Sequence, residues 1–267
     1  MKFFSVQAYC FIALIFASAA ACAQNSSPYS AATVDFSGFV GKIRIEASAD
    51  KTINLQLKRG DVALLKTRMH QGVLYISYVP KVEPGEASGY SNNSNALRAG
   101  LQANQNISAG SKKYFSGKMQ EMAELIVTAP VDVSLQTNGF NGDASIDAMS
   151  GPADFSVTEG RINAKRLGPA RLRVKGAGDI VLDEAGGEVR LSIDGAGDIN
   201  VKGGNVERAW ADVNGAGNIR YTGGRIQQAY ISARGASTIT MDGVVKVSKG
   251  AIEGASEVEI NSPPGGK

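Results

Sequence analysis

The chain is poor in the residues that build metal centres and covalent staples. Its 267 residues include two cysteines, one histidine and one tryptophan, with eight prolines. A zinc site built from imidazole and thiolate wants three or four such ligands, so no metal site and no cofactor are expected. Charge of one sign is also lacking: 28 Lys and Arg oppose 25 Asp and Glu, a net charge of +3. That excess is too small to argue for nucleic acid as a partner. No apolar run approaches the roughly 18 residues of a membrane-spanning helix, so no transmembrane span is expected. What the chain has in excess is glycine, 32 residues in all. Glycine does not recur at every third position, which excludes collagen, and a 43% hydrophobic content argues against disorder.

The first 23 residues read as a secretory signal peptide. Met1 and Lys2 are followed by the apolar run Phe11 to Phe16 and then by the small residues Ala17 to Ala23 around Cys22. Two cleavage sites compete. Ala21-Cys22-Ala23 before Gln24 suits signal peptidase, whereas Ala19-Ala20-Ala21-Cys22 is similar to a bacterial lipobox, in which Cys22 would be cleaved before and lipidated. Cys10 is lost either way, so disulfides cannot stabilise the mature chain even in an oxidising compartment. The expected location is the periplasm or cell envelope, with a lipid anchor to the outer membrane if Cys22 is modified.

The C-terminal half is organised by a repeat. Gly-Ala-Gly-Asp-Ile begins at Gly176 and again at Gly195; Gly-Ala-Gly-Asn-Ile follows at Gly215, Gly-Ala-Ser-Thr-Ile at Gly235 and Gly-Ala-Ser-Glu-Val at Gly254. The copies recur every 19 or 20 residues, too short a period for a crossover helix. On both sides of the motif apolar residues alternate with period two, the strand signal. Ala170, Leu172 and Val174 point inward before the first copy, and Ser248, Gly250 and Ile252 are placed equivalently before the last. Each repeat is therefore strand, small-residue corner, strand, Gly-rich turn. Antiparallel hairpins would satisfy the alternation, but the near-constant period favours a parallel β-solenoid in which like residues stack.

The expected architecture is all-β: a single-stranded parallel β-helix of about seven ~20-residue coils over 125–261, with an N-terminal β-layer cap over 32–82 as part of one continuous domain 32–261. Residues 83–118 form a Gly/Ser/Asn-rich insertion, the one Gly-rich stretch the repeat does not explain. Ser replaces the second motif glycine at Ser237 and Ser256, where looser corners are expected.

These copies, the lead-in Glu124 to Pro130, the opening Phe36 to Ile45 and the leader resemble the bacterial auto-transporter adhesin head domain, or GIN domain, family over roughly 34–260. The resemblance implies a β-solenoid in a secreted or surface-attached protein. It supplies no catalytic residues.

Candidate sites follow from the stacking. Arg171, Arg190, Trp210, Tyr230 and Lys249 are expected to occupy one outward position of successive coils, a basic and aromatic stripe able to stack on sugars or hold an anionic polysaccharide. Asp179, Asp198 and Asn218, followed by Thr238 and Glu257, form a second column. Its carboxylates suit either a Ca²⁺ ladder or the simpler role of accepting backbone N–H bonds at the corners. Asp194 and Asp212 fall in different outward columns and do not make a catalytic pair. His70 sits in the turn-like run Arg68 to Gly72 and reads as solvated. The expected function is therefore non-enzymatic: an exported envelope protein with an adhesin-like solenoid, its partner an envelope or surface polysaccharide or protein. The alternatives are a polysaccharide-acting β-helix enzyme and a periplasmic sensor or assembly accessory.

Overall fold

The computed structural model describes residues 28–79 and 122–262. The leader with Cys22, the insertion at 83–118 and Pro263 and Pro264 lie outside the described residues. In chain order the strands are β1 (Thr33–Ser48), β2 (Asn54–Arg59), β3 (Leu65–His70), β4 (Val73–Tyr78), β5 (Glu124–Pro130), β6 (Ser134–Ala148), β7 (Ala153–Leu167) and β8 (Ala170–Val174). They continue with β9 (Asp179–Gly195), β10 (Asp198–Val201), β11 (Gly204–Gly215), β12 (Asn218–Tyr221), β13 (Arg225–Gly235), β14 (Thr238–Asp242), β15 (Val244–Gly254) and β16 (Glu257–Asn261). Among the described residues the only helical turn is Val62–Leu64, opened by Asp61, whose carboxylate accepts from the Ala63 amide.

From β6 to β16 every pairing is parallel, and the strands wind into a β-solenoid of about seven turns. The chain runs along a first face, turns at the Gly-Ala-Gly corner, crosses a second face and returns through a Gly-rich turn. Consecutive hairpins would have paired antiparallel, so the constant period does mark coils.

The interior follows directly from the repeat. The motif isoleucines of the second face, Ile180, Ile199, Ile219 and Ile239, are stacked in register and at most 1% exposed. Full burial of a side chain that size is worth about 1.5–3 kcal/mol. The next inward position carries Leu182, Val201, Tyr221 and Met241, all fully buried. Tyr221 is the polar member, and its hydroxyl donates to the carbonyl of Gly204, 2.9 Å away. Burial pushes its phenol up to about 12.

Corners are closed by glycine. Each successive Gly41, Gly142 and Gly160, and then each of Gly195, Gly215, Gly235 and Gly254, has positive φ, and a Cβ at any of Gly142, Gly160, Gly195, Gly215 or Gly235 would collide with the backbone of the glycine one coil before. Gly235, at φ 113°, is representative. Looser winding at Ser237 does not occur. Ala236 donates to the Gly215 carbonyl at 2.9 Å, as Ala216 does to Gly195. The buried Ser237 hydroxyl meets that of Ser256 at 3.2 Å, so the two serines occupy the glycine column as a hydrogen-bonded pair.

The N-terminal strands join the same stack. β1 is a coil in its own right, parallel to β6 over both faces. Beyond it the next layer is split between two segments. β4 lies parallel on the first half of β1 and β5 on the second half; β4 ends and β5 begins beside the corner, where the Ala123 carbonyl accepts from the Lys42 amide. β3 and β2 close this end as antiparallel partners of β4 and β5. The β3–β4 turn, Gln71 and Gly72, has positive φ at both residues, the geometry of a two-residue hairpin.

Two outcomes test this account. Gly235→Ala should cost about 2 kcal/mol or more, read by urea unfolding, whereas Gly203→Ala, whose added Cβ would sit 3.6 Å from its nearest neighbour, should be nearly neutral. Because Tyr221 stays protonated in the fold above its unfolded value near 10, stability should decline as pH rises from about 10 to 12. Tyr221→Phe should remove that part of the alkaline dependence.

Candidate functional site

Strict parallel stacking turns each outward position into a column, and the first face carries the informative one. Register places Asp35, Gln136, Asp154, Arg171, Arg190, Trp210 and Tyr230 one above another, with Tyr75 beyond Asp35 at the capped end. Adjacent arginines in such a column should repel. They turn opposite ways: the Arg171 guanidinium lies 3.6 Å from the Asp154 carboxylate in the coil before, and that of Arg190 sits over the Trp210 ring, 4.3 Å from its centroid, in the coil after. Trp210 in turn stacks on Tyr230 with centroids 5.4 Å apart and planes 9° from parallel. The result is a continuous guanidinium, indole and phenol stack along the solenoid axis, with both rings half-buried. Cation–π and aromatic contacts of this kind are each worth on the order of 1 kcal/mol.

Four of the five expected stripe residues are thus brought together, and Lys249 is not. The residue opposite Tyr230 is Ser248, and Lys249 lies opposite Ile231. The pairing of β13 and β15 shifts between Ile231 and Ala233, so β15 carries a bulge near Gly250, and counting back from the motif at Gly254 misplaces every residue before the bulge by one. Val247, not Ser248, is the inward counterpart of Ala229, and it is 44% exposed, β15 having β13 as its one partner among the described strands.

The column beside the stripe, Arg173, Ser192, Asp212 and Ser232, escaped the sequence reading as a unit. Asp212 stands across from Ser192 and Ser232, while Asp194 stands across from Asn214, whose side-chain amide donates to it. The two aspartates therefore belong to separate columns, and Asp212 flanks the aromatic stack as an exposed carboxylate.

On the second face the Asp column is real. Asp179, Asp198, Asn218, Thr238 and Glu257 are in register, preceded by Arg161. The two aspartates are engaged within the protein: Arg161 bonds Asp179 at 3.1 Å, and Asn218 donates to Asp198 from its backbone amide at 3.1 Å and its side-chain amide at 2.9 Å. Other outward columns alternate in sign between coils, as in Asp147 with Lys165, Asp183 with Lys202, and Glu188 with Arg208. Lys165 holds the Asp147 carboxyl below its usual range, and Glu184 raises the Arg166 guanidinium. Exposed pairs contribute about 0–1 kcal/mol each, so their main effect is on register. His70 ends β3 and lines an open groove at the capped end of the first face.

Residues 40–264 match the family model described as "Putative auto-transporter adhesin, head GIN domain". The chain belongs to this family. Among solved structures, a GIN-like likeness in fold extends to a putative adhesin from Bacteroides fragilis, at 17% identity and TM-score 0.60, covering 89% of this chain and 95% of that one. A putative adhesin from Parabacteroides distasonis matches at 13% identity and TM-score 0.56, covering 88% and 95%. A putative lipid binding protein from the same organism matches at 12% identity and TM-score 0.52, covering 90% and 95%. At these identities the likeness concerns the fold. A comparison with curated proteins finds no match. Among the described residues no helix of this GIN-family chain is long and apolar enough to cross a membrane.

If the stack is as described, a double-mutant cycle on Trp210→Ala and Tyr230→Ala should return a coupling of about 0.5–1.5 kcal/mol in urea unfolding. Zero coupling would mean the rings contribute independently.

Proposed function

We propose that this protein is an exported, non-enzymatic component of the cell envelope whose first face holds a surface polysaccharide on the Arg190, Trp210 and Tyr230 stack. The observation that carries the reading is the far side of Tyr230. One face of the phenol is taken by Trp210, and beyond the other the column offers only Ser248. A pyranose ring can therefore extend the stack as its next layer, with its hydroxyls in reach of Asp212 and Ser232 one column away. The chain's leader, from Phe11 to Ala23, supports export, and mass spectrometry of the mature N-terminus separates a lipidated Cys22 from a chain starting at Gln24.

Glycan-array binding followed by calorimetry on the best hit tests this reading. Trp210→Ala and Tyr230→Ala should each weaken binding by about tenfold, the scale of one lost stacking contact, with unchanged circular dichroism and no new reducing ends in any glycan. Undiminished binding by both variants would sink the stack as the site, and steady release of reducing ends would favour a polysaccharide-acting enzyme.

A further inference from the structure

At the capped end the first face is no longer flat. β3 rises as a wall, and a groove of about 1450 Å³ opens between it and a floor made by β4, β1, β6, β7 and the C-terminal end of the arginine-rich strand β8. From β3 to β8 the strand order spans five spacings, about 24 Å at roughly 4.8 Å each. The groove is larger than a typical pocket for one small molecule, which runs to about 1,000 Å³.

Its charge is net positive. Lys66 and Arg68 stand on the wall and Arg173 and Lys175 on the floor, four cations against the two carboxylates Asp35 and Asp154, each of which has partners of its own. Asp35 accepts from the Gln136 side-chain amide at 2.8 Å and from the Ser37 amide at 2.7 Å, and Asp154 faces Arg171. Lys175 donates only to a neutral acceptor, the Asn138 amide oxygen at 2.9 Å. Lys66, Arg68 and Arg173 have no carboxylate partner among the described residues. Opposite Arg173, on the outward side of β7, Ser156 is only 3% exposed and its hydroxyl has no hydrogen-bond partner.

We infer that this groove is a second binding site, distinct from the aromatic stack, and that it takes an acidic oligosaccharide. Uncompensated cations at both ends of a long groove select an extended anionic ligand, and the planar guanidinium forks of Arg68 and Arg173 suit carboxylate or sulfate oxygens. An extended acidic peptide fits less well. Among the described strands β3 pairs only with β4 and keeps a free edge, but β4, β1, β6 and β7 are each paired on both sides, so the floor itself offers no free backbone edge for strand addition, only side-chain hydroxyls, amides and cations. Those are the groups that recognise sugar hydroxyls and acid substituents.

The test is calorimetric titration of the full chain with four probes of matched length: oligogalacturonate, a sulfated glucan oligomer, a neutral malto-oligosaccharide and oligoglutamate. One of the two acidic sugars should bind at least about tenfold more tightly than the neutral oligomer and the peptide, and binding should weaken as salt is raised. Which of the two prevails assigns the acid group. Arg68→Gln with Arg173→Gln should lose about tenfold or more, Arg68→Lys with Arg173→Lys should retain most of the binding, and Lys202→Gln, outside both the groove and the stack, should change it by less than about twofold. Unchanged binding in the Gln variant, equal binding of the neutral oligomer, tighter binding of oligoglutamate, or no binding by either acidic sugar would each overturn the inference. Should the Gln variant fail to fold, the probe ranking and salt dependence of the parent chain decide it alone. Because Arg68 and Arg173 lie outside the stack and Arg190, Trp210 and Tyr230 lie outside the groove lining, loss of the stack as a glycan site and loss of the groove as an acidic site are read from separate variants.

Discussion

Everything in this fold depends on how closely one coil approaches the next at its corner. Parallel pairing brings each residue against its counterpart in the neighbouring coil at the strand spacing, and where the chain turns between faces the backbone of one corner lies against the carbonyl of the previous one. A side chain there has nowhere to go. The repeat therefore keeps glycine at that position from Gly41 to Gly254, and two residues on, where Ser237 and Ser256 replace the second motif glycine, the Ser237 hydroxyl donates to that of Ser256 inside the column. Tight corners in turn hold the two faces in a common register, which stacks the isoleucines of the first four motifs on one another and Val258 of the fifth on Ile239.

The same register governs the surface. Identical spacing would stack like charges on like charges, and several columns avoid this by alternating sign, as in Asp147 with Lys165 and Asp183 with Lys202; where Asp179 and Asp198 do stack, Arg161 on one side and Asn218 on the other engage them. Where two arginines do meet, Arg171 and Arg190, each turns to a different neighbour, a carboxylate on one side and an indole on the other. The aromatic stack is thus a product of column geometry: an arginine, a tryptophan and a tyrosine at one outward position of consecutive coils have little choice but to lie face to face. The capped end breaks the monotony because its outermost layer comes from two segments, β4 and β5, with antiparallel strands folded over them, and this is where a groove replaces a flat face.

The coils were legible in the sequence because a solenoid writes its geometry locally. A small residue at each corner, an isoleucine two or three places on and a period of 19 or 20 residues leave little freedom in how strands are laid, and four of the five stripe residues could be placed by counting. Counting failed at β15, where one extra residue near Gly250 flips the faces of the strand before it, a change that leaves no mark on the motif spacing because the turn at Gly243 is shorter. Ser248 rather than Lys249 therefore faces Tyr230.

What the sequence by itself determined is the coil: its length, its inward ladder, its glycine corners and the outward columns through the regular repeats, all set by interactions between residues one period apart. What only the tertiary structure decided lies where that period is broken. The orientation of Arg171 and Arg190 and the position of the bulge are settled by contacts one coil away, whereas the promotion of β1 to a full coil and the groove that gathers Lys66 and Arg68 against Arg173 depend on contacts between segments about a hundred residues apart in the chain. No local pattern specifies those contacts, because the residues that meet there share no repeat.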